Sequence, residues 1–439
     1  MDTSHGGAKS DAIKRIVPID ETGSSSSTDP NSLASAQNTE NHVPRAGDSA
    51  GDSESRPGPA ADPEGLELSV RPLSTAKGLL VKVQPPKAPQ GVPANYHVPC
   101  DIVLVIDVSG SMASMAVAPA NKGEVGEDHG FSTLDLVKHA ALTILATLDE
   151  RDRLGIVTFS SKAKVVMELV PMSEDNKKLA KEELLKLKPD SQTHMWDGIA
   201  EGLKAFEGKR EGSNRVPAVM LLTDGEPTSW DSHPFAPGTP SSGWVNKLST
   251  MRPFLAPIHT FGFGYDLESG VLKSISELTG GHYAFIPDCG MIGTVFIHAV
   301  ANLQSTFATE AQLKITFPAV TGLGATIGNS LQIEPVERAR PGRGQGAERA
   351  YLTVGLGSLQ FGMSKDLYFE YNGEAALLRD YLPADRAVEA ELSYKTVANS
   401  SELRTLTLAR DPFSADDPPE AEAAYHISRS MLCKFLSSL

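Results

Sequence analysis

The stretch Cys100-Asp101-Ile102-Val103-Leu104-Val105-Ile106-Asp107-Val108-Ser109-Gly110-Ser111-Met112 decides the fold. Ile102 to Ile106 are apolar without a break, which reads as a strand buried on both faces, and Asp107 stands where the strand runs out. A carboxylate at the C-terminal end of a central parallel strand sits in the usual ligand crevice of an open α/β sheet. Ser109 and Ser111 add two hydroxyls in a tight turn around Gly110, so the turn becomes an oxygen-rich nest.

The chain around this stretch has 439 residues, 40% of them hydrophobic, enough for two folded domains plus tails. Forty Lys and Arg against fifty-five Asp and Glu give a net charge of -15, which argues against nucleic acid as a partner. The three cysteines, Cys100, Cys289 and Cys433, have neither disulfide-framework nor zinc spacing and fit a reducing compartment. The polar stretch Met1 to Pro18 lacks a signal-peptide core, and no apolar run reaches membrane-span length, so an intracellular, cytoplasmic location is expected.

Outward from Asp107, residues 100 to 307 alternate strand and helix patterns, the signature of a mainly parallel sheet covered on both faces. Strands are expected over Ile102–Ile106, Leu154–Phe159, Ala218–Leu222 and Ile258–Gly262, with a short antiparallel one at Ala163–Met167. Helices are expected over Thr133–Leu148, Ser173–Leu187, Trp196–Phe206, Leu267–Leu278 and Met291–Leu303. Two insertions, Ala113–Gly130 and Ser229–Ser242, fall at the strand ends where a ligand would sit.

Before this unit, residues 1–65 are Ser-, Gly- and Pro-rich and read as a disordered leader. Residues 66–98 carry two alternating strands that should pair with something later in the chain. After it, residues 308–411 hold short alternating strands, an expected β-sandwich. Residues 412–439 end the chain with an amphipathic helix, its stripe running through Ala424, Ile427, Met431 and Phe435 with Leu432, Leu436 and Leu439. That helix either docks on the sandwich or meets a partner.

Two later stretches give the opening turn its meaning. Thr193 stands in a loop just before a helix, and Asp224 ends the second fully apolar strand, Ala218 to Leu222. Asp107 and Asp224 thus terminate parallel strands and can converge on one crevice. Each has a bland counterpart: the serines could only cap a turn, Thr193 could only open a helix, and Asp197 complements a helix dipole. His194 reads as a bystander, while Trp230 and Trp244 could form a binding lip or pin a loop.

Taken together, Asp107, Ser109, Ser111, Thr193 and Asp224 resemble the metal-ion-dependent adhesion site of the von Willebrand factor A domain family, whose D-x-S-x-S, Thr and Asp are all present in order. The resemblance continues through Thr260-Phe261-Gly262-Phe263-Gly264 and implies a Rossmann-like A domain over residues 99–307. It implies Mg²⁺ or Mn²⁺ on these hard oxygen donors, with one coordination position open to a Glu or Asp of a protein partner. The strands before the A domain, the phrase Gly280-Gly281-His282-Tyr283-Ala284-Phe285-Ile286 and the expected sandwich look like intracellular A-domain proteins of fungi and plants. Those join the domain to ubiquitin-ligase or Hint-type modules; three cysteines cannot build a RING, so a ubiquitin link here would be by association, with the metal site structural.

Enzymatic readings fare worse. A haloacid-dehalogenase-like phosphotransferase needs a second carboxylate where Ser109 stands. Gly47-Asp48-Ser49-Ala50-Gly51 matches a hydrolase elbow only as a string, without the strand and helix around it.

Overall fold

In the computed structural model the described residues are 59–73, 78–92, 96–117, 128–209, 213–225, 241–264, 267–287, 289–319, 322–325, 332–333, 337–339, 348–371, 387–411 and 419–437. The chain divides into Met1–Arg56 and Pro57–Leu439, and every described residue belongs to the second unit. The expected leader, Trp230 and most of both insertions lie outside the described residues.

In chain order, β1 (Ala60–Ala61), β2 (Glu67–Leu73) and β3 (Gly78–Gln84) precede the opening strand, β4 (Cys100–Asp107). A hairpin of β5 (Met115–Val117) and β6 (Asp128–Ser132) follows, then α1 (Thr133–Thr147), β7 (Arg153–Phe159), β8 (Ala163–Pro171), α2 (Glu174–Lys186), α3 (Met195–Lys204) and β9 (Val216–Thr223). Next come α4 (Ser241–Ser249), β10 (Ile258–Phe263), α5 (Ser269–Thr279), β11 (Tyr283–Ile286) and α6 (Ile292–Gln304).

Six of these strands build one sheet in the order β11-β10-β9-β4-β7-β8. Every pairing is parallel except β7 with β8, where only three residues separate the strands and no crossover helix fits. Strand β7 lies on one side of β4 and β9 on the other, so the winding direction reverses at β4 and leaves a crevice at its C-terminal end.

All eight residues of β4 are buried because both faces are covered. Ile102, Leu104 and Ile106 pack with α1, α2 and α6, while Val103 and Val105 pack with α3, α4 and α5. Helix α3 seats closely because Gly198 faces the ring of Phe159, where an added Cβ would come within 2.5 Å of Cδ1. The N-terminus of α1 is fixed by a capping box between Ser132 and Asp135.

Strand β12 (Thr306–Pro318) opens the strand-rich part, followed by β13 (Leu323–Ala325), β14 (Gln332–Ile333), β15 (Glu337–Ala339), β16 (Arg349–Gln360), β17 (Lys365–Tyr371), β18 (Val388–Thr396) and β19 (Asn399–Arg410). One sheet runs β1-β2-β3-β17-β13, and the other β14-β16-β12-β18-β19 with β15 also on β16. Strand β3 joins β17 antiparallel, Val83 opposite Lys365. Leu68, Val70, Val81 and Phe369 from the first sheet share a core with Leu313, Ile315, Val354 and Leu392 from the second. Within the expected strand-rich stretch 308–411, residues 326–331 lie outside the described residues, and Gln332–Ile333 are placed as β14.

The last helix, α7 (Glu420–Ser437), rests on the first of these sheets through Ala423 and Ile427, against Leu73, Leu80 and Tyr368. Arg71 adds an ion pair with Glu422 at 3.2 Å. The apolar stripe read from sequence is divided: Ile427 docks, whereas Met431, Leu432, Phe435 and Leu436 face outward.

Candidate metal centre

The β4 strand delivers Asp107 to the crevice with its side chain buried among the strand ends. One carboxylate oxygen, Oδ1, accepts the backbone N–H of Ser109 at 2.8 Å, which closes the turn on itself. The other, Oδ2, accepts the hydroxyl of Thr223 at 2.6 Å. Ser109 is buried, and its Oγ lies 3.0 Å from the Oγ of half-buried Ser111. Met112, fully buried, anchors the short 3₁₀ turn that presents both serines.

Thr193 is buried in the loop entering α3, and backbone hydrogen bonds tie that loop to the Asp107 turn. Gly110 N–H donates to Ser191 C=O at 3.0 Å, and Asp190 N–H donates to Val108 C=O at 2.6 Å. A Cβ on Gly110 would come within 3.1 Å of that Ser191 oxygen, so the close approach of the two loops favours glycine there. Asp224 follows β9 directly and is half-buried, and Gly225 N–H donates back to Thr223 Oγ1 at 2.9 Å.

Burial pushes the Asp107 carboxyl up, and the negative charge of Asp224 adds to the effect, while hydrogen bonds from Ser109 and Thr223 pull it down. Two carboxylates at one crevice, with the serine hydroxyls beside Asp107, form a donor set of hard oxygens. Such a set fits Mg²⁺ or Mn²⁺, whose charge would offset the mutual repulsion. Asp107, Ser109 and Ser111 are in direct hydrogen-bonded contact, Asp224 is close enough to act on Asp107 electrostatically, and Thr193 arrives on the loop bonded to the turn.

The neighbours take structural roles. His194 donates its backbone N–H to Ser160 C=O at 2.8 Å, with its ring 3.9 Å from the Asp197 carboxylate in the first turn of α3. Trp244 is buried in the core beside Trp196, ring centroids 6.5 Å apart, and so pins α4. The residue missed in the sequence is Thr223. Its only signal was a polar residue ending an otherwise apolar strand.

A second acidic group lies at the opposite end of β4: ligand atoms of His97, Asp149 and Asp152 fall within 4.8 Å of one another. Cations and N–H donors already occupy it. Arg151 Nη2 reaches His97 Nδ1 at 2.9 Å, His97 Nε2 reaches Asp152 at 3.0 Å, and Asp152 also accepts Cys100 N–H at 2.8 Å. This pattern fixes the entry to β4.

Residues 102–226 match the family described as von Willebrand factor type A domain. Among curated proteins, the chain is 27% identical over 221 residues to an uncharacterized protein of Synechocystis, covering 50% of this chain and 45% of that one. It is 30% identical over 199 residues to the human inter-alpha-trypsin inhibitor heavy chain H3, covering 43% of this chain and 19% of that one. The matches therefore span less than half the length of these relatives. Among solved structures, a von Willebrand factor type A protein from Catenulispora acidiphila shares the fold, with a TM-score of 0.52 at 15% identity over 84% of this chain and 78% of that one. The segment around Asp107, residues 102–226, is thus what matches the von Willebrand factor type A domain, and the solved structure shares its fold.

Proposed function

We propose that this protein is a non-enzymatic, metal-dependent interaction protein that captures a Glu or Asp carboxylate of a protein partner. Asp107, Ser109, Ser111, Thr193 and Asp224 would hold Mg²⁺, or Mn²⁺, and the bound ion would supply an electrophilic position for the incoming carboxylate. The observation that carries this reading is the meeting of Asp107 and Asp224, from adjacent parallel strands, beside two serine hydroxyls 3.0 Å apart. The set offers oxygen ligands and no activated nucleophile.

The strand-rich sheets form, on this reading, a β-sandwich that carries the A domain, and the buried thiol of Cys100 suits residence inside the cell. No described helix is long and apolar enough to cross a membrane.

The test is capture of partners by the full chain from lysate with Mg²⁺ and with EDTA, repeated with Asp107→Asn. Partners retained only by the wild type in Mg²⁺ support the proposal. The same partners retained under all conditions, with only the melting temperature falling, would make the metal structural and overturn it.

A further inference from the structure

Two non-glycine residues among those described have a left-handed backbone, Glu310 with φ 55° and Ser191 with φ 48°. Glu310 lies where the register of β12 shifts against β16 and β18, a β-bulge, and its carboxylate pairs with Lys395 at 2.8 Å. Ser191 is exposed in the loop between α2 and α3, and a conformation disfavoured for most residues other than glycine persists there only if its surroundings hold it.

What holds it is the Asp107 turn. Asp190 N–H donates to Val108 C=O at 2.6 Å, and Ser191 C=O accepts Gly110 N–H at 3.0 Å. In a regular parallel pairing one residue would supply both groups, because the N–H and C=O of one residue point to the same side of an extended chain and those of the next point away. Here two consecutive residues share the task. The loop thus contains one extra residue, as in a β-bulge, and the left-handed turn at Ser191 brings the second group back to the same partner. A step of one residue exchanges which side chains face inward. Downstream of it Gln192 is exposed and Thr193 is buried, and His194 N–H closes the loop on Ser160 C=O at 2.8 Å.

We propose, resting on the metal-binding function above, that Ser191 is a positioning residue of the Asp107 centre. Its left-handed conformation holds the loop on the Asp107 turn and so places Thr193, in place of Gln192, on the inner side of the loop. The backbone carries this role and the hydroxyl does not, so the substitution that matters is one that resists a positive φ.

Calorimetric Mg²⁺ titration and thermal melting of the full chain, with hydrogen exchange of the Gly110 amide in the metal-free protein, test this on Ser191→Val and Ser191→Gly. Valine is branched at Cβ and fits a positive φ badly, so Ser191→Val should weaken Mg²⁺ binding by about 10-fold or more and speed exchange at Gly110. Glycine takes φ of either sign, so Ser191→Gly should match the wild type in both measurements. Wild-type affinity and exchange in Ser191→Val, or a lower melting temperature alone, overturns the proposal. An equal loss in both variants also overturns it, by assigning the role to the hydroxyl. A wild type that binds no Mg²⁺ overturns the metal-binding function and this proposal together, whereas wild-type binding with an unaffected Ser191→Val overturns this proposal alone.

Discussion

The hydroxyl of Thr223 donates to Oδ2 of Asp107 at 2.6 Å, so the last residue of β9 fixes the carboxylate that ends the neighbouring strand, β4. With Ser109 N–H holding Oδ1, both oxygens of a buried carboxylate have fixed directions before any cation arrives. Thr223→Val keeps the shape of the side chain and removes that donor. Partners that orient a metal ligand are worth about 10- to 100-fold in metal affinity. We therefore expect Mg²⁺ binding by calorimetry to weaken by about 10-fold or more, against a loss of only about 1–2 kcal/mol in stability.

Much of this candidate centre was legible in the sequence because its residues sit at the ends of uninterrupted apolar runs. Ile102–Ile106 and Ala218–Leu222 could only be central strands, so Asp107 and Asp224 had to lie at the same edge of the sheet. Thr223 escaped because one hydroxyl at a strand end is common and its partner is distant in sequence. The hairpin of β5 and β6 escaped because its pairing, Met115 opposite Ser132, follows no alternating pattern. The orientation of α7 was equally hidden. Sequence marks the apolar stripe, but only the docked Ala423 and Ile427 show which side meets the sheet.

Gly198 couples the packing of α3 to the site. In Gly198→Ala the new methyl would press on Phe159, whose ring is fully buried and cannot withdraw. Overpacking of this kind costs about 1–3 kcal/mol. Because Thr193 lies just ahead of α3, the helix should relieve the clash by shifting outward and carrying Thr193 with it. Chemical denaturation and Mg²⁺ titration should therefore both register the substitution. A stability loss with unchanged Mg²⁺ affinity would show that the loop, held by Ser191 and Asp190, positions Thr193 independently of the helix.

His259 sets an acid limit on the fold. Burial, with a smaller contribution from His282, whose ring centroid is 5.5 Å away, lowers His259 from 6.5 to about 3. Burial lowers His282 as well, helped by the nearby Lys365. Between these values the unfolded chain binds a proton at position 259 that the folded chain excludes, so stability rises with pH across this window. The contribution is complete above about pH 6.5 and is lost as pH falls towards 3, at up to about 1.4 kcal/mol per pH unit. Urea midpoints should fall from pH 7 to pH 5 in the wild type and fall less in His259→Phe. Parallel curves for the two proteins would remove His259 as the cause.

Asp152 offers the sharpest control on the proposed place of metal binding. It is fully buried at the start of β4 and accepts hydrogen bonds from the backbone N–H groups of Cys100 and Asp149, with the His97 ring on its outer oxygen. Removing one member of such a buried set leaves the others unsatisfied and typically costs about 3–5 kcal/mol. Asp152→Ala should therefore lower the melting temperature by several degrees or more. Seven residue steps along the strand separate Cys100 from Asp107, a span of about 23 Å, too far for the loss to reach the Asp107 turn directly. Mg²⁺ should consequently raise the melting temperature of Asp152→Ala as much as it does that of the wild type, whereas Asp107→Asn should remove the increment. The reverse pattern, with the increment lost in Asp152→Ala and kept in Asp107→Asn, would move the cation to His97, Asp149 and Asp152 and leave the Asp107 turn as a hydrogen-bonded strand end.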